Sequence, residues 1–153
     1  MRLFHNETEL AAIISHELAH NIRGHIKMKK KNSLLGGIFG FLLDMMIAAK
    51  YGLNTGGEYT KIGMAKGGMV YSIDMEKEAD YVGLYILALS GYDIEEVPNV
   101  FRKLGAAHPK NIEAKYATSH PSTPERFIAM EKTVEEIKEK MEKGLPLLPE
   151  EKQ

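Results

Sequence analysis

The chain has 153 residues, 44% of them apolar and 27% charged, with a formal net charge of −1 and no cysteine. That length and balance suit one soluble globular domain with a real core. They exclude a disulfide scaffold and a thiolate metal site, so a tightly held transition metal would have to sit on histidine and carboxylate. The near-neutral charge gives no electrostatic footprint for nucleic acid.

Met1-Arg2-Leu3-Phe4-His5 leads directly into a helix and is not a signal peptide, so the signal of an exported protein would lie outside this chain. Asn6 or Thr8 caps that helix, with Glu7 and Glu9 near its positive end. Leu10, Ile13, Ile14 and Leu18 give it a core face beside the face of His16-Glu17-Leu18-Ala19-His20. This is the pattern H-E-x-x-H. Two imidazoles at i and i+4 stand about 40° apart around the axis and can reach one ion, and Glu17, about 100° on from His16, can address a water there. A plain helix with two surface histidines shows the same five letters. The helix is expected to run to about Gly24–Lys31. His25 falls on another face and reads as structural or exposed. Lys27, Lys29, Lys30 and Lys31 have no interleaved aromatics and read as the solvated, dipole-matched end of this helix.

Leu34–Ala49 is the most apolar stretch, shorter than the ~20 residues that span a bilayer and interrupted by Asp44. It reads as a buried or interface helix, with peripheral membrane contact as the alternative. Gly36 and Gly40 form a small-x-x-x-small pair that favours close helix contact, and Met45-Met46 reads as gap-filling core. Tyr51–Gly68, rich in Gly, Asn and Thr, is expected to be a mobile connection with a short helix at Thr60–Ala65, either a lid or slack.

Met69–Ser90 is strongly helical and ends at Gly91. A further helix is expected over Ile94–Leu104 with Pro98 in its first turn, then a connection or short helix at Ala106–Lys115. Ser119-His120-Pro121-Ser122-Thr123-Pro124-Glu125-Arg126 is a turn in which Thr123 caps and Pro124 takes the first helical position. The last helix, from Glu125 to about Lys143, carries Phe127, Met130, Val134, Ile137 and Met141 at helical spacing and stops at Gly144. No segment alternates as a strand does.

A catalytic zinc takes three protein ligands and keeps one position open. Beyond His16 and His20, the histidines His5, His25, His108 and His120 are isolated. Glu76 and Asp80 lie at i and i+4 on one helix face, so Glu76 can bind metal while Asp80 reaches an imidazole from behind and fixes its tautomer. Glu78, about 200° from Glu76, faces elsewhere. The same residues also fit an ordinary acidic helix surface.

Three segments carry a resemblance. NETELAAIISHELAHNIRGH, SIDMEKEADYVGLYILALSGYD (with Ser72 four residues before Glu76) and SHPSTPERFIAMEK together cover most of Asn6 to Lys143. They resemble the zinc metallopeptidase family of the CAAX prenyl proteases, the HtpX heat-shock proteases and the BepA-like periplasmic proteases. The resemblance implies a mainly α, zincin-like (gluzincin) domain over residues 1–153 and a metalloendopeptidase with one Zn2+ per chain. It implies His16, His20 and Glu76 as ligands, Glu17 as general base and Asp80 behind a ligand histidine. It also implies His120, of the H-P turn, as an extra metal or catalytic group, and Arg126 as turn anchor or substrate contact. Protein or peptide substrates and a bacterial cell-envelope or periplasmic setting in protein quality control follow from it. Family members carry a hairpin before the first helix that this chain lacks, so a truncated domain, weakened proteolysis and self-association through uncovered apolar surface are expected. A latent zinc-binding module, its fourth metal site plugged by His120, is the competing reading.

Overall fold

A computed structural model describes residues 6–69, 73–107 and 120–150. His5, Ser72, His108 and the greater part of the expected Ala106–Lys115 connection lie outside the described residues. Among the described residues six helices follow one another: α1 (Glu7–Ile22), α2 (His25–Tyr51), α3 (Glu58–Met69), α4 (Ile73–Leu89), α5 (Val97–Ala107) and α6 (Pro124–Glu142). There is no strand among the described residues. The fold is mainly α, of the zincin-like type the sequence predicts. The chain divides into two compact units, one built on α1, α4, α5 and α6 and the other on α2 and α3.

In the first unit, Asn6 caps α1 by accepting a hydrogen bond from the backbone N–H of Glu9 at 2.8 Å. The helix does not reach residues 24–31. It ends at Arg23, and Gly24 at φ 71° turns the chain, a backbone region that residues with a Cβ avoid. The buried face of α1 also differs from expectation. Ala12, Ser15, His16, Ala19 and His20 face inward, while Leu10, Ile14 and Leu18 are exposed. Small residues win this face because α1 packs closely on α4. A Cβ at Gly83 of α4 would stand 3.1 Å from the backbone N of His16 and 3.2 Å from its Cα. The core gathers Leu84, Tyr85 and Leu87 of α4, Ile94, Val97 of α5, and Met130, Val134 and Ile137 of α6. Pro98 sits in the first turn of α5, and Pro124 opens α6 with Thr123 at its N-cap. Met141 is exposed, outside this core.

In the second unit, Lys27–Lys31 and Leu34–Ala49 belong to one 27-residue helix, α2. The lysines therefore occupy its first turns and not the end of α1, so they sit at the positive end of a helix dipole. Gly52–Gly57 turns the chain, and the expected mobile connection is mostly helix α3. Asp44 explains why. Its carboxylate accepts from the hydroxyls of Thr55 and Thr60 (the latter at 2.7 Å) and from the backbone N–H groups of Thr60 at 2.9 Å and Tyr59 at 3.3 Å. It satisfies the otherwise unpaired donors at the start of α3 from a neighbouring helix. Close backbone contact completes the hairpin: a Cβ at Gly36 would overlap the carbonyl of Gly63, and one at Gly40 the carbonyl of Tyr59. Within Leu34–Ala49 only Gly37, Gly40 and Asp44 are buried. The large apolar side chains from Leu34 to Met46 are exposed, Met45 and Met46 among them, which are therefore not gap-filling core.

Candidate metal centre

α1 carries His16 and His20 one turn apart, and α4 carries Glu76 and Asp80 one turn apart, in the same unit. All four side chains are buried, although each is polar. Their partners make this burial tolerable. The two Nε2 atoms of His16 and His20 stand 3.1 Å apart. The Glu76 carboxylate lies 3.2 Å from Nε2 of His20 and 3.5 Å from Nε2 of His16. The other nitrogen of His16, Nδ1, is 2.9 Å from Oδ1 of Asp80. Phe101 of α5 packs on His16, ring centroids 5.5 Å apart.

Arg126, near the start of α6, closes the cluster. Its Nε and Nη2 donate to the two Asp80 oxygens at 2.7 and 2.8 Å, and its Nη1 lies 2.8 Å from Glu76 and donates to the Pro121 carbonyl at 2.7 Å. The residue is 2% exposed. Burial would push the His16 imidazolium down, but the Asp80 and Glu76 carboxylates outweigh it and raise its pKa to about 9.

The donor set fits a divalent metal. The two imidazole Nε2 atoms stand 3.1 Å apart, with one Glu76 oxygen 3.2 Å from His20 and the other 3.5 Å from His16, spacings close to the edge of a tetrahedron whose centre is ~2.0–2.1 Å from each corner. His16, His20 and Glu76 each offer one ligand atom to this site. His120 is half-buried and joined to Pro121, whose carbonyl Arg126 holds. Glu17 follows His16 on α1 and is exposed. Glu78 does face elsewhere, paired with Arg23. His25 is buried at the start of α2. Phe101 and Gly83 are absent from the sequence reading of the site. No local pattern marks them, since each acts through a neighbour on another helix.

Residues 1–134 match the sequence model of Peptidase family M48. The chain is 28% identical over 123 residues to the mitochondrial metalloendopeptidase OMA1 of Arabidopsis thaliana, covering 80% of this chain and 24% of that protein. It is 31% identical over 105 residues to the beta-barrel assembly-enhancing protease of Yersinia pestis, covering 65% and 21%. It is 28% identical over 138 residues to the OMA1 metalloendopeptidase of Schizosaccharomyces pombe, covering 89% and 39%. The matched part thus spans from about a fifth to two fifths of the length of these relatives. No solved structure matches the chain. With 134 of 153 residues matched, and buried histidines and carboxylates drawn from two helices, the chain belongs to peptidase family M48.

Proposed function

We propose that the chain is a metallopeptidase domain that holds one zinc ion on His16, His20 and Glu76 and hydrolyses peptide bonds of protein substrates. The observation that carries this reading is the convergence of two Nε2 atoms and one carboxylate, with Asp80 on the far nitrogen of His16. A zinc ion held there would supply Lewis acidity at the scissile carbonyl and acidify a water from ~15.7 toward ~7. The Asp80 carboxylate, 2.9 Å from Nδ1 of His16, favours the tautomer or charge state with hydrogen on Nδ1, and a metal would then take Nε2. Arg126 holds Asp80 and Glu76 in place and balances their charge. Glu17 takes a proton from the attacking water as the C–O bond forms and gives it to the amine as the C–N bond breaks. A relative's name, beta-barrel assembly-enhancing protease, supports a bacterial-envelope, quality-control setting for this proposal, though the mitochondrial relatives fit a different one.

The test is zinc content and cleavage of an unfolded protein, measured on the chain and on Glu17→Gln. The proposal expects about one zinc per chain in both and a loss of ~10²–10⁴ in turnover in the variant. Full activity of Glu17→Gln would overturn it. The place of His120 next to Pro121, whose carbonyl Arg126 holds, supports one second reading, a latent site that this side chain plugs. His120→Ala then gains activity with zinc retained, whereas loss of activity assigns His120 a part in the reaction.

A further inference from the structure

We infer that the α2–α3 hairpin seats the protein on an anionic lipid surface, with α2 lying along the headgroup boundary. The hairpin's inner stripe on α2 is Gly36, Gly37, Gly40 and Asp44, taken up by α3. From Leu34 to Met46 every position off that stripe is a large apolar residue: Leu34, Leu35, Ile38, Phe39, Phe41, Leu42, Leu43, Met45 and Met46. All nine are exposed, from 44% at Leu35 to 68% at Phe39. Nine such side chains in one contiguous band exceed the scattered apolar exposure that soluble surfaces carry.

Charge says what covers the band. Residues 25–69 hold seven of the chain's 20 lysines and arginines but only two of its 21 acidic residues. Lys27, Lys29, Lys30 and Lys31 precede the band and Lys50 follows it. Cations in the first turns of α2 work against the helix dipole, so helix stability does not account for them. Anionic headgroups do, each nearby lysine strengthening attachment roughly fivefold. A second copy would bring these like charges together, which disfavours it as the occupant.

α2 is long and apolar enough to cross a membrane. A crossing hairpin would carry Glu58, Lys61 and Lys66, exposed on α3, into hydrocarbon. Lying in the plane keeps them in water and sinks the apolar side of α2 by ~5–10 Å. Asp44 does not oppose this, because four donors of Thr55, Tyr59 and Thr60 already satisfy it.

The experiment is co-sedimentation of the full chain with vesicles of phosphatidylcholine, alone or mixed with phosphatidylglycerol. The chain has no tryptophan, so Phe39→Trp adds a single reporter. The expected result is binding to the mixed vesicles, a blue-shifted indole quenched by brominated lipid, and a more than tenfold weaker preference for anionic lipid after Lys27, Lys29, Lys30 and Lys31 are changed to glutamine. Phe39→Asp with Leu42→Asp should weaken binding more than tenfold while circular dichroism stays helical. Absence of binding with helicity intact would overturn the inference. So would equal binding of the aspartate variant, or an indole shielded without lipid in proportion to protein concentration, which would mean that a second copy covers the band.

Discussion

Two buried carboxylates beside two buried imidazoles are tolerable in one cluster when a fixed cation pairs with the carboxylates. Arg126 is that cation, bidentate on Asp80 and in contact with Glu76. Arg126→Ala leaves both carboxylates short of positive charge. The expected loss is ~3–5 kcal/mol in urea unfolding, and Arg126→Lys recovers part of it, since lysine keeps the charge but not the planar fork. Asp80→Ala is expected to weaken zinc binding by ~10–100-fold, read by competition with a chelating dye. His16 predicts a pH dependence for protein stripped with a chelator. Its folded pKa, about 9, lies above the 6.5 of an unstructured histidine. The stability contributed by its protonation is complete below pH 6.5 and disappears as pH rises through about 9. A melting temperature of stripped protein that rises across that window would sink the assignment of the Asp80 contact.

At the scale of elements, the distance between α1 and α4 decides whether ligands from two helices share an ion. Gly83 sets that distance, because its bare Cα faces the backbone of His16. Gly83→Ala adds a carbon 3.1–3.3 Å from Ser15 and His16 backbone atoms. The helices must part by a few tenths of an ångström, with an expected loss of ~1–3 kcal/mol and weaker zinc binding. Zinc affinity unchanged in that variant would show that the interface gives elsewhere. The same logic governs the hairpin, where glycines hold α2 and α3 in backbone contact.

Across the first unit as a whole, the segment after α6 is tied back onto the bundle. Lys140 donates to the Leu148 carbonyl at 3.0 Å, and the Glu150 N–H donates to the Tyr81 hydroxyl at 2.9 Å. Glu136 accepts from Tyr81 at 2.8 Å, from Tyr85, and from Lys140 at 3.1 Å. Its burial raises its pKa, but these hydrogen bonds outweigh burial and hold the carboxyl below the usual range. The stability it contributes is present above the ordinary Glu pKa of about 4.3 and is lost as pH falls through the lower folded value. Glu136→Gln should therefore flatten the acid limb of the stability–pH curve, and an unchanged limb would refute the role given to this network. The proposed zinc would add to folding stability. Free zinc at a hundredfold excess over its dissociation constant adds ~2.7 kcal/mol to a protein that binds it only when folded, so chelation should lower the melting temperature measurably.

The amino-acid sequence by itself determined the helical class, the i, i+4 spacing of His16 with His20 and of Glu76 with Asp80, the stop at Gly91 and Pro124 as the first residue of α6, because each depends on spacing within one helix or one turn. Glu76 and Asp80 could be named as candidates from the same local periodicity, and Arg126 from a family resemblance alone. Tertiary structure alone decided how the helices meet. It set Arg126 between the two carboxylates and made Phe101 and Gly83 neighbours of His16. It also turned a glycine-rich stretch into α3, because Asp44, more than ten residues back, satisfies that helix's first N–H groups and bare glycines let α2 come close. Periodicity carries no information about such contacts. They depend on which backbone can approach which, and that is settled only when separate helices pack.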